Sequence, residues 1–123
     1  MSEIAIRDDR ERGRLEAYVD GGTGSGGAVD EVVGHIEYFV LDTPRRTLVP
    51  VHTIVEPAHE GQGIAGSLAR ELYASAARED VPVAPLCSYV AKWAERHPDE
   101  APAAEPELLD AAKDWLRAHP DRF

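Results

Sequence analysis

The stretch Leu48–Leu86, LVPVHTIVEPAHEGQGIAGSLARELYASAAREDVPVAPL, decides the fold of this chain. Its first part, Leu48–Val55, is apolar on both faces and predicts a strand that is covered on both sides. Pro50 has no N–H to donate to a ladder, so we expect a bulge or break there. Apolar side chains then recur at i, i+4 and i+8 from Gly63 to Arg78, which predicts an amphipathic helix. Val81–Leu86 predicts a short second strand, which Pro82 and Pro85 should leave poorly paired on one side. The whole stretch predicts a β-α-β crossover with parallel strands.

The flanking sequence predicts further strands and helices. Arg14–Val19 and Val32–Leu41 are candidate strands, and the turn at 42–46 that follows predicts a hairpin. Tyr89–His97 predicts a short helix that Pro98 ends, and a last amphipathic helix is expected to begin at Pro106. The fold class is therefore α/β (α+β), with a mixed, mostly antiparallel sheet.

Glycines at 21, 22, 24, 26 and 27 predict a flexible linker. Gly22–Gly27 also has the spacing G-x-G-x-x-G. That motif binds dinucleotides between a strand and a helix, whereas here it precedes a strand, so a plain linker is the better interpretation.

Composition limits the number of domains and the class of partner. A chain of 123 residues fits one core, and 43% apolar with 29% charged residues is typical of a globular protein. A net charge of −10 argues against nucleic acid and favours cationic partners. No apolar run reaches the roughly 20 residues of a membrane span, and 1–14 is too polar for a signal peptide. We therefore expect a cytoplasmic protein that is a monomer or a weak homodimer and does not bind membranes.

The turn between the first strand and the helix has the features of a phosphate site. Gly61 and Gly63 allow close backbone approach, and the amides that open the helix have no intrahelical partner. A structural turn without a ligand is the simpler alternative. Gly61, Gly63 and Gly66 also fit a dinucleotide fingerprint, but the next strand ends in Leu86-Cys87-Ser88 and not in the acidic residue that binds ribose. A P-loop is excluded because no Lys-Ser/Thr pair follows the glycines.

Coenzyme A is the remaining candidate, and four blocks in order carry a family resemblance. They are His52-Thr53, the turn Gly61–Ala65, the segment Pro85–Val90 and Arg96-His97-Pro98. Together they resemble the minimal, single-domain subgroup of the GNAT superfamily of N-acetyltransferases. The resemblance covers about 32–99. It implies an acyl-CoA N-acyltransferase fold in 1–100, with 101–123 as a helical extension packed on the same domain.

The resemblance also implies where acetyl-CoA binds. Backbone amides of Gly61, Gln62, Gly63, Ile64, Ala65 and Gly66 would hold the diphosphate. The pantetheine arm would lie between splayed parallel strands that end at Val55 and Leu86, against Thr53, Ile54 and Val55. Glu60 departs from the pattern, since the superfamily usually has Arg or Gln there. Its carboxylate would repel a diphosphate and weaken the binding of coenzyme A.

His52 and Cys87 are the candidate catalytic residues. An imidazole can act as general base on an amine or hold a water, although a His bonded to a backbone carbonyl is the structural alternative. Cys87 follows the second predicted strand just before a helix begins, a location where a thiol becomes more nucleophilic, so it could accept the acyl group or protonate departing CoA. A small buried apolar residue is its alternative.

Tyr89 fits an apolar role better than proton donation, and His97 is expected to bond to backbone at a helix end. No metal is implied, because the five histidines lack the close pairing of zinc sites and the chain has one cysteine.

The expected function is transfer of an acetyl group from acetyl-CoA, as co-substrate, to a primary amine. A protein lysine, an N-terminus or a small polyamine-like molecule would be the cationic acceptor. The main alternative is a non-catalytic acyl-CoA-binding or sensing module, since a fold does not establish an activity. A weaker alternative is an interaction protein that docks through the helix containing Trp115.

Overall fold

An antiparallel sheet and three helices form the fold, which is α/β as expected. The computed structural model describes residues 4–19, 31–61 and 63–120. The elements are β1 (Ile4–Asp9), β2 (Arg14–Val19), β3 (Glu31–Leu41), β4 (Thr47–Val55), a 3-10 turn (Pro57–His59), α1 (Ile64–Glu79), α2 (Ser88–Arg96) and α3 (Pro106–Ala118). The four strands pair in the order β1-β2-β3-β4, and every neighbouring pair is antiparallel. The glycine-rich stretch 21–27, predicted as a linker, lies outside the described residues.

Apolar side chains cover both faces of the sheet. On one face, Ile36 and Tyr38 of β3 belong to a cluster with Leu68 of α1 and Val90 of α2. On the other face, the next residue of β3, Phe39, belongs to a cluster with Leu108, Ala112 and Trp115 of α3. Adjacent strand residues project to opposite faces, so α1 and α2 lie on one side of the sheet and α3 on the other.

Strand β1 is an element that the sequence analysis did not predict. Its residues Ile4–Asp9 pair with β2 along their whole length. The turn that follows is tied to the rest of the molecule, because Arg10 makes a two-pronged contact with Glu79 at the end of α1, at 2.6 and 3.0 Å. The hydroxyl of Tyr38 donates to Asp8. This edge strand therefore joins the sheet through backbone pairing, the packing of Ile6 on the core and the polar contacts of the turn.

Strand β4 contains the bulge that Pro50 predicted. Glu37 of β3 is opposite His52, whereas the next residue, Tyr38, is opposite Pro50, so Val51 is the extra residue. Before the bulge, 47–51 are buried. After it, His52 is exposed and Ile54 is 51% exposed. The prediction of a strand covered on both sides is thus wrong for its carboxyl half.

The segment 81–86, predicted as a strand, forms only an isolated parallel bridge between Val83 and Leu48. Three bonds link the segment to β4: Leu48 N–H donates to Pro82 O at 3.0 Å, Ala84 N–H to Leu48 O at 2.9 Å and Leu86 N–H to Pro50 O at 3.0 Å. Pro50 has no N–H to donate to Ala84 O, and Pro82 has none to donate toward β4, so no continuous ladder forms. These bonds to β4 reach Pro50 and do not extend past the bulge.

The helices agree with the predicted segments to within one or two residues. Two helix ends repeat the same arrangement, because Nδ1 of His97 bonds to the carbonyl of Trp93 at 2.8 Å and Nδ1 of His119 bonds to that of Trp115 at 2.7 Å. Each imidazole also stacks on its tryptophan, with centroids 4.2 and 4.0 Å apart. His97 is therefore the helix-end residue that the sequence predicted. Among the described residues, no helix has the length and apolarity needed to cross a bilayer.

Candidate functional site

A cleft opens where β4 separates from the segment 81–86. Its volume is about 400 Å³. The end of β4 forms one wall, the turn and the first residues of α1 form the floor, and a tyrosine of α2 closes the far side. The lining residues are Thr53, Val55, His59, Glu60, Gly61, Gly63, Ile64, Ala65, Gly66 and Tyr89.

The floor of the cleft has the backbone conformation that the glycines predicted. Gly61 and Gly63 have φ of +83° and +79°, a region that glycine adopts at little cost. Gly63 caps α1, and its carbonyl accepts the N–H of Ser67 at 3.0 Å, the first bond of the helix. The amides of Ile64, Ala65 and Gly66 precede that bond and have no intrahelical partner. The floor is therefore a set of N–H donors at the positive end of the helix dipole.

The residues next to the glycines differ in what they bring to the cleft. The Glu60 carboxylate is exposed and belongs to the cleft wall, so its negative charge stands beside the helix start. His59, which the sequence analysis did not single out, also lines the cleft. Gln62, predicted to bind the diphosphate, lies outside the described residues.

Thr53, which lines the cleft, contacts Cys87, which is not among the lining residues. The hydroxyl of Thr53 is 3.2 Å from Sγ of Cys87. Cys87 is the residue that caps α2, and its N–H donates to Pro50 O at 3.0 Å. This bond fixes the start of α2 next to the bulge of β4. The structure thus brings a predicted catalytic residue against a residue predicted to bind acetyl-CoA.

His52 lies on the other face of β4. Side chains alternate along a strand, so His52 and Ile54 project away from the face that carries Thr53 and Val55. Neither His52 nor Ile54 is among the cleft-lining residues. The structure therefore does not bring His52 and Cys87 side by side, and β4 itself separates them.

Polar residues of β2 and β3 surround His52 on that face, and the sequence analysis did not identify them. Glu37 is directly opposite His52 in the register. Nη2 of Arg14 lies 3.1 Å from Nδ1 of His35. Arg14 only donates hydrogen bonds, so Nδ1 is the acceptor and the imidazole is neutral in this arrangement. Burial first, and then the Arg14 charge, lower the pKa of His35 below its ordinary value.

Tyr89 is 39% exposed and lines the cleft opposite the glycine turn. Its hydroxyl lies 3.6 Å from where a Cβ on Gly66 would stand. The sequence analysis favoured an apolar role for Tyr89, yet the phenol reaches the cleft. Within the described ranges, no three His, Cys, Asp or Glu side chains converge as a metal site would need.

Comparison with known proteins identifies the family. The chain matches the family model of GCN5-related N-acetyl-transferase over residues 16–103. It belongs to the GCN5-related N-acetyltransferase family. No curated protein matches the sequence significantly.

A solved structure of an N-acetyltransferase is similar in fold. It is ribosomal-protein-alanine N-acetyltransferase from Brucella melitensis biovar Abortus 2308, with a TM-score of 0.50 and 25% sequence identity. The alignment covers 75% of this chain and 62% of that one, so the present chain spans less than two thirds of that protein's length.

The part of the chain that matches the family model includes the whole cleft. The matched residues 16–103 contain the bulged strand, the glycine turn, α1 and the Thr53–Cys87 contact. They omit β1 and α3, the two elements at the ends of the described chain. The cleft is therefore formed by the part of the chain that the family shares.

Proposed function

We propose that this protein transfers an acetyl group from acetyl-CoA to a primary amine of a cationic acceptor. The observation that carries the proposal is the cleft, which joins the amides at the start of α1 to the open half of β4 and ends at Thr53, the residue in contact with Cys87. Acetyl-CoA has a diphosphate, a long arm and a thioester, so it needs an anion site, a groove and a place for the reacting end, in that order. The acceptor would be a protein lysine, an N-terminus or a small polyamine-like molecule.

On the cleft side, the amides of Gly61, Gln62, Gly63, Ile64, Ala65 and Gly66 would hold the diphosphate of coenzyme A. The pantetheine arm would run along β4 past Val55 and Thr53, in the opening past the bulge where no bonds to 81–86 form. It would place the thioester near Cys87. Ile54 would contribute through its backbone, because its side chain projects to the other face.

On the opposite face, His52 would accept a proton from the amine. The neutral amine would then attack the thioester carbonyl at the margin of β4, and the carbon–sulfur bond would break. The departing thiolate of coenzyme A would take the proton that the nitrogen loses as the amide forms. This division puts the two substrates on opposite faces of one strand. It gives His52 and Cys87 different roles, which is consistent with their separation.

The second candidate function is a non-catalytic module that binds or senses acyl-CoA. Two observations favour it: β4 separates His52 from Cys87, and the Glu60 carboxylate stands at the anion site. In either function we propose a cytoplasmic protein in which 1–100 form the acetyltransferase domain and 101–123 extend it.

Intact-mass and binding measurements separate the two functions. We would titrate the protein with coenzyme A by calorimetry, and then incubate it with acetyl-CoA and with a polyamine or a lysine-rich peptide. Acetylated amine formed faster than in buffer, and more slowly with His52→Ala, supports the transferase. Binding without acetylation of any amine supports the module, and absence of binding contradicts both.

A further inference from the structure

The connection between α2 and α3 has a cavity on each side of it. It joins a helix on one side of the sheet to a helix on the other, so it passes the segment 81–86, which lies outside β4. The cavities have volumes of about 260 and 350 Å³. Both are lined by Tyr73 of α1 and by residues 102–104 of the connection, which we call the strap. Tyr73 and the strap therefore lie between the two cavities.

The hydroxyl of Tyr73 is a buried polar group without a hydrogen-bond partner in the part of the chain that the structure describes. Tyr73 is 4% exposed, and its ring lies nearly parallel to that of Trp93, with centroids 6.0 Å apart. Burial raises the pKa of Tyr73 to about 12, so the hydroxyl keeps its proton at neutral pH and can donate it. A buried donor without an acceptor destabilises the fold, and a ligand that brings an acceptor removes that cost.

The smaller cavity combines an apolar wall with a negative rim. The apolar lining side chains come from α1, 81–83 and α3, and include Ala76, Ala77, Val81, Pro82, Val83 and Leu108. Its charged lining residues are Asp99, Glu100 and Glu105, all of them carboxylates. Of these, only Glu100 has an ion pair within the described residues, with Arg70 at 2.9 Å. The charges of Asp99 and Glu105 therefore favour a cation at this rim.

This cavity is separate from the proposed acetyl-CoA cleft. The residues that line the cavity and those that line the cleft are different. Tyr73 and 81–83 lie within the part that matches the family model, whereas Glu105 and Leu108 follow its last residue, 103. The C-terminal extension of this chain therefore completes the cavity.

We propose that the smaller cavity is a second binding site, which takes a small organic cation with a primary ammonium group, a compact apolar body and a hydrogen-bond acceptor. The ammonium would lie near Asp99 and Glu105, and the apolar body would pack on Ala76. The acceptor would bind the hydroxyl of Tyr73 as the strap shifts aside. A cavity of about 150 Å³ holds benzene, so about 260 Å³ fits one ring with two short substituents. This site would bind its ligand whether or not the cleft transfers an acetyl group.

Three probe molecules separate the two polar contributions. One is para-methoxybenzylamine, which has the ring, the ammonium and an ether oxygen. Its relative para-methylbenzylamine lacks the oxygen, and para-methoxybenzyl alcohol lacks the charge. We would titrate the full chain with each probe and follow the backbone amide shifts by NMR, which gives both the affinity and the place of binding.

Three variants accompany the probes. Tyr73→Phe removes the hydroxyl and keeps the ring. Ala77→Leu narrows the cavity, because Ala77 lines it. Ala74→Leu is the matched control, since Ala74 is on the same helix but is not among the lining residues of either cavity.

We expect para-methoxybenzylamine to bind the wild type most tightly, with the largest amide shifts in the strap and at the start of α3. Tyr73→Phe should weaken its binding about fivefold, as the loss of one hydrogen bond predicts, and leave that of para-methylbenzylamine within about twofold. The alcohol should bind up to about fivefold more weakly than the matching amine. Ala77→Leu should weaken all three probes, and Ala74→Leu none. Without a probe, Tyr73→Phe should not lower the midpoint of urea unfolding, because it removes an unpaired donor.

Several results would overturn the second site. An equal loss of affinity for both amines in Tyr73→Phe would mean that the hydroxyl does not bind the ligand. A lower urea midpoint for Tyr73→Phe would mean that the hydroxyl already has a partner, such as an ordered water. Displacement of the probe by coenzyme A, with shifts confined to the glycine turn, would place the probe in the cleft. Absence of any shift at millimolar probe concentrations would mean that the cavity binds no such cation.

Discussion

Glu60 is the residue whose charge opposes the proposed ligand most directly. Its carboxylate belongs to the cleft wall beside the amides of the α1 start. We expect Glu60→Gln to tighten coenzyme A binding about threefold, since a partly screened charge near a surface site contributes up to about 1 kcal/mol. Glu56→Gln is the control, because Glu56 is exposed and not among the cleft-lining residues. Calorimetric titration that finds equal affinities for the wild type and Glu60→Gln would contradict a diphosphate at this turn.

The lowered pKa of His35 makes the stability of the protein depend on pH. Burial, followed by the Arg14 charge, lowers its pKa from 6.5 in the folded state. Below that pH the unfolded chain binds a proton that the native state does not, so the free energy of unfolding falls as the pH drops through about 6.5. The fall ends below the lowered pKa of the native state.

The test is urea unfolding of the wild type and of His35→Gln between neutral pH and pH about 5. Glutamine has no titrating group but can still accept a bond from Arg14. We expect the pH slope near 6.5 to be smaller in the variant. An unchanged slope would show that other groups cause the pH dependence.

The sequence predicted which residues could take part in acyl transfer, but not how they are arranged in space. The types and order of His52, Thr53 and Cys87 suggested an acyl-transfer site. Period-two alternation also implies that His52 and Thr53 face opposite sides, but it does not say which side carries the helix. That depends on the β4 bulge and on the bonds of Leu86 and Cys87 to Pro50, which are tertiary contacts.

Among the elements, α3 offers the clearest test of packing. Leu108 is 2% exposed and belongs to the cluster on the far face of the sheet, whereas Leu109 is only partly buried. We expect Leu108→Ala to lower the free energy of unfolding by about 2–4 kcal/mol, and Leu109→Ala by about 1 kcal/mol. Urea unfolding monitored by far-UV circular dichroism measures both. Equal small losses would mean that α3 does not pack on the sheet in solution.

Elements with a clear apolar pattern were predicted well, the helices and the strands β2, β3 and β4 alike, whereas β1 was not predicted and 81–86 forms only an isolated bridge. The apolar stripe of α1 and the proline at the start of α3, Pro106, were enough to locate these two helices from sequence alone. Strand β1 is half polar and pairs with the edge that β2 offers, while 81–86 has strand-like residues but meets β4 where Pro50 and Pro82 lack donors. Whether β1 and 81–86 form strands is decided by the available backbone partners and not by the strand propensity of their residues.

At the scale of the whole molecule, the sheet separates two chemical environments. One face carries the anion site, the cleft and Cys87. The other carries His52 beside Glu37, with Arg14, Glu16 and His35 on the neighbouring strands. In the proposed function, an anionic co-substrate enters one face and a cationic acceptor the other. The bulged strand lies between them.

The net charge of −10 gives this arrangement a testable dependence on salt. An acidic protein repels coenzyme A and attracts a cationic acceptor at long range. Screening shortens the range of both effects, from about 30 Å at 0.01 M salt to about 10 Å at 0.1 M. Over that interval we expect the KM for acetyl-CoA to fall and the KM for a cationic acceptor to rise, each by about threefold. Steady-state kinetics with a lysine-rich peptide, and with a control peptide that has one lysine and no net charge, measures the effect. The control peptide should show a flat KM, and parallel shifts of both constants would contradict opposite charges on the two substrates.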